Sequence, residues 1–106
     1  NVPVNAQTGT AYTLALTDAG SMVTMDNAGA NTVTIDPVGT TAYPDGTYIR
    51  VAQLGAGATT ITAGAGVSLN GVTAGSGTLT AQYDIIELFH VASDVWLVTG
   101  DIGAIA

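Results

Sequence analysis

Apolar side chains alternate with polar ones in short runs along this chain, and no window holds a helical 3,4 spacing for long. AYTLAL (11–16) sets Tyr12, Leu14 and Leu16 against Ala11, Thr13 and Ala15. SMVTM (21–25), NTVTID (31–36) and TYIRVAQL (47–54) repeat the two-residue period of a strand. Between them lie stretches rich in Gly, Asn, Asp and Pro: TDAG, DNAGA and YPDG, each able to supply a turn. The glycine-rich segment Gly55–Ala81 also fits a flexible linker by composition, but its spaced Ile61, Val67, Leu69 and Leu79 favour thin strands with tight turns. A final hairpin is predicted over Asp84–Val91 and Asp94–Thr99, turning at Ala92-Ser93. The pattern predicts an all-β fold, a small antiparallel β-sandwich of jelly-roll type with about 8–9 short strands.

Residues 1–10 are polar and irregular, and read as an arm or linker before a single sandwich domain over 11–106. VTMD (23–26) and VTID (33–36) echo one another, with a looser VSLN at 67–70. Without a sustained period, two paired strands of one hairpin explain the echo better than a repeat. The chain starts at Asn1, a residue ahead of which an initiator methionine is not normally trimmed, so processing or a longer parent protein is expected.

Three strands have an unusual second face. In 84–91, Ile86, Leu88 and His90 share one side, and Ile85, Glu87, Phe89 and Val91 the other. In 94–99, Val95 and Leu97 oppose Trp96 and Val98; in 47–54, Tyr48, Arg50, Ala52 and Leu54 oppose Ile49, Val51 and Gln53. A sheet wetted on one side alternates more cleanly. One face is expected to form the domain's own core and the other to meet a neighbouring chain, with Tyr48, Arg50, Glu87, Phe89, His90 and Trp96 as the candidate interface residues. The alternative is one sandwich whose second face lies under a loop.

Composition narrows the chemistry. Apolar residues make up 47% and charged ones only 8%, so the chain is ordered and short of water-facing side chains. Arg50 is the only Lys or Arg against eight carboxylates, for a net charge of −7, which excludes binding to nucleic acid or an anionic membrane by counterion release. Partly buried on a strand, Arg50 calls for a partner, and Glu87, the only glutamate, is the expected one, within or between subunits. There is no cysteine, and His90 is the only histidine, too few for a zinc site or a nucleophilic triad. No catalytic, cofactor-binding or metal-ligating set is predicted. The aspartates fall mainly at strand ends, as turn residues do; DNAGAN (26–31), with Asp26, Asn27 and Asn31, is the nearest approach to a cation loop.

The runs TGTAYTLALTDAGSMVTMDNAGANTVTID, GTYIRVAQLGAGATTITAGAGVSLNG and LTAQYDIIELFHVASDVWLVTGDI resemble a domain that recurs in virion proteins of tailed bacteriophages: head decoration (cement) proteins, head fibres and tail fibres. The marks are T-Y-T-L-x-x-x-D-A-G, Q-L-G-A-G and W-L-V-x-G-D, in that order, over residues 8–102. The resemblance implies a homotrimeric β-sandwich on the particle exterior, in contact with the major capsid protein or another virion protein, and no active-site residues. A tail-fibre domain binding cell-surface glycan is the other function it implies. Tyr12, Tyr43, Tyr48, Tyr83 and Trp96 are the aromatics such binding would draw on, and of these only Tyr43 stands clearly in a loop.

Overall fold

The computed structural model describes all residues, 1–106. Eleven strands form two facing sheets: β1 (Val4–Gln7), β2 (Ala11–Thr13), β3 (Met22–Met25), β4 (Asn31–Ile35), β5 (Tyr48–Gln53), β6 (Thr59–Ala63), β7 (Ser68–Leu69), β8 (Val72–Thr73), β9 (Ser76–Thr78), β10 (Ile85–Ala92) and β11 (Val95–Gly100). The larger sheet has the order β1-β3-β5-β10-β11-β7-β8 and the smaller β2-β4-β6-β9. The all-β expectation holds. The antiparallel one does not, because both sheets are mixed.

The cause is the path of the chain. Strands alternate between sheets, so that β1, β3 and β5 lie parallel in one and β2, β4 and β6 parallel in the other. The first 63 residues therefore wind as three stacked coils around a flattened core. This corrects the hairpin reading of VTMD and VTID: β3 and β4 are not paired but belong to opposite sheets of one coil. The segment expected as an arm is also part of the wall, since Val4–Gln7 pairs with Met22–Met25. Leu16, expected to end the strand from Ala11, instead opens a single 3-10 turn over Leu16–Asp18 at the corner after β2, where TDAG was expected to turn.

Corners stack as the strands do. The Asn27 side chain donates to Thr8 O at 2.8 Å, and Gly57 N donates to Asn27 O at 2.9 Å, tying three successive corners together. A Cβ on Gly57 would lie 1.8 Å from Gly29 O, and one on Gly55 2.4 Å from Asn27 N. No other residue fits this approach, which gives the L-G-A-G stretch its physical reason. Beneath the corner, Asn31, Gln53 and Thr59 are buried and mutually satisfied: Thr59 Oγ1 donates to Asn31 Oδ1 at 2.6 Å, and Thr59 N to Gln53 Oε1 at 3.1 Å. At the opposite corner the second coil is longer. Its extra segment, 36–47, ends in a Pro44–Thr47 turn with Gly46 at φ +84°, the position where a type II turn needs glycine.

The C-terminal ribbon takes an unexpected place. β10 pairs antiparallel with β5, and β11 pairs parallel with β7, so the hairpin is wedged into the middle of the larger sheet. Its turn falls at Ser93-Asp94, one residue beyond the expected position, with Ser93 at φ +50° and a bulge after His90. The tail then covers the edge of the smaller sheet, where Ala106 and Ser76 exchange hydrogen bonds of 3.0 and 3.2 Å. Seventeen buried side chains fill the space between the sheets, among them Val23, Met25, Val33, Ile35, Ile49, Val51, Ile61, Ile86, Leu88 and Trp96. Fully burying each such side chain contributes on the order of 1.5–3 kcal/mol.

Candidate functional site: the outer face of the central strands

Because β10 and β11 lie inside the sheet, one side of each points to the core and the other to the surface. Register decides which. His90 pairs with Trp96 and Leu88 with Val98, all four pointing inward. Phe89 pairs with Leu97 on one side and Tyr48 on the other, and Glu87 with Thr99 and Arg50, all pointing outward.

The six predicted interface residues thus divide. Tyr48, Arg50, Glu87 and Phe89 form one contiguous outer patch. His90 and Trp96 are corrected to the core: they are 2% and 0% exposed and cannot touch a second chain. Their inner position has its own chemistry. The Trp96 indole stacks on His90 with centroids 4.9 Å apart, and Tyr43 from the long corner meets Trp96 edge-on at 5.1 Å. The Tyr43 hydroxyl donates to Leu14 O at 2.7 Å, so this tyrosine, expected in a loop, is an anchor between two coils. The two ring nitrogens of His90 face Pro44 O at 2.8 Å and Ser93 O at 2.5 Å, tying the hairpin turn to the long corner. Trp96 Nε1 is buried without a hydrogen-bond partner.

On the outer patch Ile85, Phe89, Val91, Val95 and Leu97 are between 37% and 48% exposed. Ile85, Val91, Val95 and Leu97 join the predicted residues here; alternation already set Ile85 and Val91 on the face of Phe89, whereas Val95 and Leu97 reach it only through the hairpin register. Tyr48 and Phe89 pack with ring centroids 4.8 Å apart. The predicted Arg50–Glu87 partnership is real in register but not a direct ion pair. The Tyr48 hydroxyl stands between them, accepting from Arg50 Nε at 2.6 Å and donating to Glu87 Oε2. Arg50 also lies over the Tyr48 ring, 5.4 Å from its centroid.

Away from this face, polar groups are engaged in structure. Asp18 is 2% exposed and accepts from the Tyr12 hydroxyl at 2.6 Å, Asn5 Nδ2 at 2.9 Å and Ala15 N at 2.8 Å. This network closes the first coil, and it makes Asn5 and Tyr12 fold residues. Burial, then the neighbouring Asp18 carboxylate, pushes the Tyr12 phenol up to about 12; burial, then the Asp36 charge, does the same for Tyr43. In the DNAGAN corner, Asn27 Oδ1 is taken up by Gly29 N and Asn31 by Thr59. No three His, Asp or Glu side chains converge as a metal set, and no pocket opens in the surface. The outer face is an apolar field with one cation and one anion among its side chains, bridged by the Tyr48 hydroxyl.

The chain matches no protein-family model, no curated protein and no solved structure.

Proposed function

We propose that this protein is a non-enzymatic structural module of a tailed-bacteriophage virion, a head decoration (cement) or head-fibre unit. Copies associate as a homotrimer through the outer face of β5, β10 and β11, and the assembly sits on the particle exterior against the major capsid protein or another virion protein. The observation that carries this reading is the outer patch. Five large apolar side chains lie together in the middle of a sheet, where a free-standing domain would place polar ones. The ordered marks T-Y-T-L-x-x-x-D-A-G, Q-L-G-A-G and W-L-V-x-G-D support the virion setting. Electron microscopy of purified particles tests it: density for this chain on the outside of the shell or along a fibre is the expected result, and its absence from particles overturns the proposal.

One observation favours the glycan-binding alternative. Tyr83 is 70% exposed at a positive φ of +72°, the single tyrosine offering a free ring face to solvent. A tail-fibre module would use it as a stacking platform. A glycan array decides: binding abolished by Tyr83→Ala establishes this second reading, and no binding removes it.

A further inference from the structure

We propose that Arg50 and Glu87 pair between copies around the ring, so that the occupant of the outer face is a second copy of this chain, held in register by ion pairs in which Arg50 of each copy meets Glu87 of the next. The inference rests on the assembly proposed above and adds the contact that orients it.

Three observations converge. First, each group is half used. Arg50 donates only its Nε, to the Tyr48 hydroxyl, and its two terminal nitrogens have no partner in the protomer. Glu87 accepts only at Oε2, and Oε1 is without a partner. The terminal nitrogens of a guanidinium and the open oxygen of a carboxylate are the groups from which a charge-assisted, directional pair is built.

Second, the charge pattern is self-complementary here. The chain carries −7 overall, which opposes the approach of a second copy. The outward positions of β3, β5, β10 and β11 that reach the surface are Met22, Tyr48, Arg50, Ile85, Glu87, Phe89, Val91, Val95, Leu97 and Thr99, among which Arg50 and Glu87 are the only ionisable groups besides the tyrosine. The chain's single cation and single glutamate thus stand side by side on a field free of aspartate. A copy turned about a rotation axis through this field brings cation to anion.

Third, the protomer fixes both groups in advance. Tyr48 holds Arg50 and Glu87 by hydrogen bonds and is itself packed on Phe89, so little side-chain freedom remains to be lost on association. The surrounding Phe89 and Leu97 would exclude water from the pair and strengthen it.

Sedimentation equilibrium on four samples tests the pair: wild type, Arg50→Glu, Glu87→Arg, and an equimolar mixture of the two variants. Each variant alone juxtaposes like charges and is expected to associate at least roughly 30-fold more weakly than wild type. In the mixture, opposite charges face one another again wherever the two variants meet; a ring of three keeps one like-charge contact, so association is expected to recover in part, to a level above either variant alone. An effect confined to the protomer would not be rescued by mixing, since each chain keeps its own defect. Trp96 fluorescence and far-ultraviolet circular dichroism check that the variants are folded. Wild-type association in both single variants overturns the inference, as does a folded mixture that stays monomeric. Leu97→Asp separates this from the underlying reading. If it dissociates the assembly while the charge variants do not, the ion pair fails and the apolar contact stands; if wild type itself never associates, both fail.

Discussion

The His90 imidazole and the Trp96 indole lie stacked across the β10–β11 hairpin, 29° from parallel, at a non-polar centre reached by both sheets and by the long second corner. His90 joins three segments at once: its own strand, the Pro44 carbonyl of that corner and the Ser93 carbonyl of the turn. Replacing His90 by Phe keeps the stack but removes the ring-nitrogen links to both segments; Pro44 O keeps Thr47 Oγ1 as a donor at 2.7 Å, whereas Ser93 O loses its side-chain partner. The change is expected to cost about 1–3 kcal/mol, read as a lower urea midpoint with unchanged slope.

Trp96 is the only tryptophan and is fully buried, so its fluorescence reports this centre alone. The emission of the folded protein is expected to be blue-shifted and resistant to acrylamide. Trp96→Ala leaves a large cavity beside Tyr43 and His90, with an expected loss of about 3–5 kcal/mol. Emission already at the wavelength of exposed indole would place Trp96 on the surface and invalidate the assignment of faces.

Corner stacking makes a sharp distinction between glycines. Gly57→Ala drives a Cβ into the Gly29 carbonyl and is expected to cost more than about 3 kcal/mol or to prevent folding. Gly39→Ala meets nothing within 4 Å and is expected to be neutral within about 0.5 kcal/mol. Equal thermal midpoints for the two variants would contradict the three-coil arrangement.

Tyr12 and Tyr43 hold their protons to about pH 12 in the folded protein, against an ordinary value of 10.0 that the unfolded chain recovers. In that interval the folded state binds more protons than the unfolded one, so stability falls as pH rises. Their contribution is complete below pH 10 and is lost through about pH 12. Denaturant midpoints measured from mildly to strongly alkaline pH are expected to be flat and then to drop, and Tyr12→Phe should shallow the drop. A rise across that interval would reverse the assigned sign.

Much of this is legible in the residues, and the rest is hidden for identifiable reasons. The strands around Ile49, Ile61, Ile86 and Trp96 follow from two-residue alternation, and Pro44-Asp45-Gly46 marks its own turn. Alternation is silent about the partner, however: Val23 and Val33 read alike whether their strands join as a hairpin or pass to opposite sheets, so the coil does not show. The contact of Gly57 with Gly29 exists only after stacking, and the glycine therefore reads as loose punctuation. β1 reads as an arm because Val4–Gln7 is short and polar on its inner side, where Asn5 serves Asp18. The composition of each hairpin face is visible, but not the register that sets His90 opposite Trp96. With apolar residues on both sides, the choice of inner face lies in the pairing with β5 and β7. Hence the outer set is only partly recovered from sequence: Tyr48, Arg50, Glu87 and Phe89 are in it, and Leu97 is not.

In the proposed assembly, sister copies cover the outer face of β5, β10 and β11. Sedimentation equilibrium of the wild-type chain at micromolar concentrations tests it most directly. The account predicts a single species of three times the 10.5 kDa protomer mass, reduced to a folded protomer by Leu97→Asp. A wild-type protein that stays at 10.5 kDa across the concentration range, with Trp96 buried and Phe89 and Leu97 open to solvent, would contradict it.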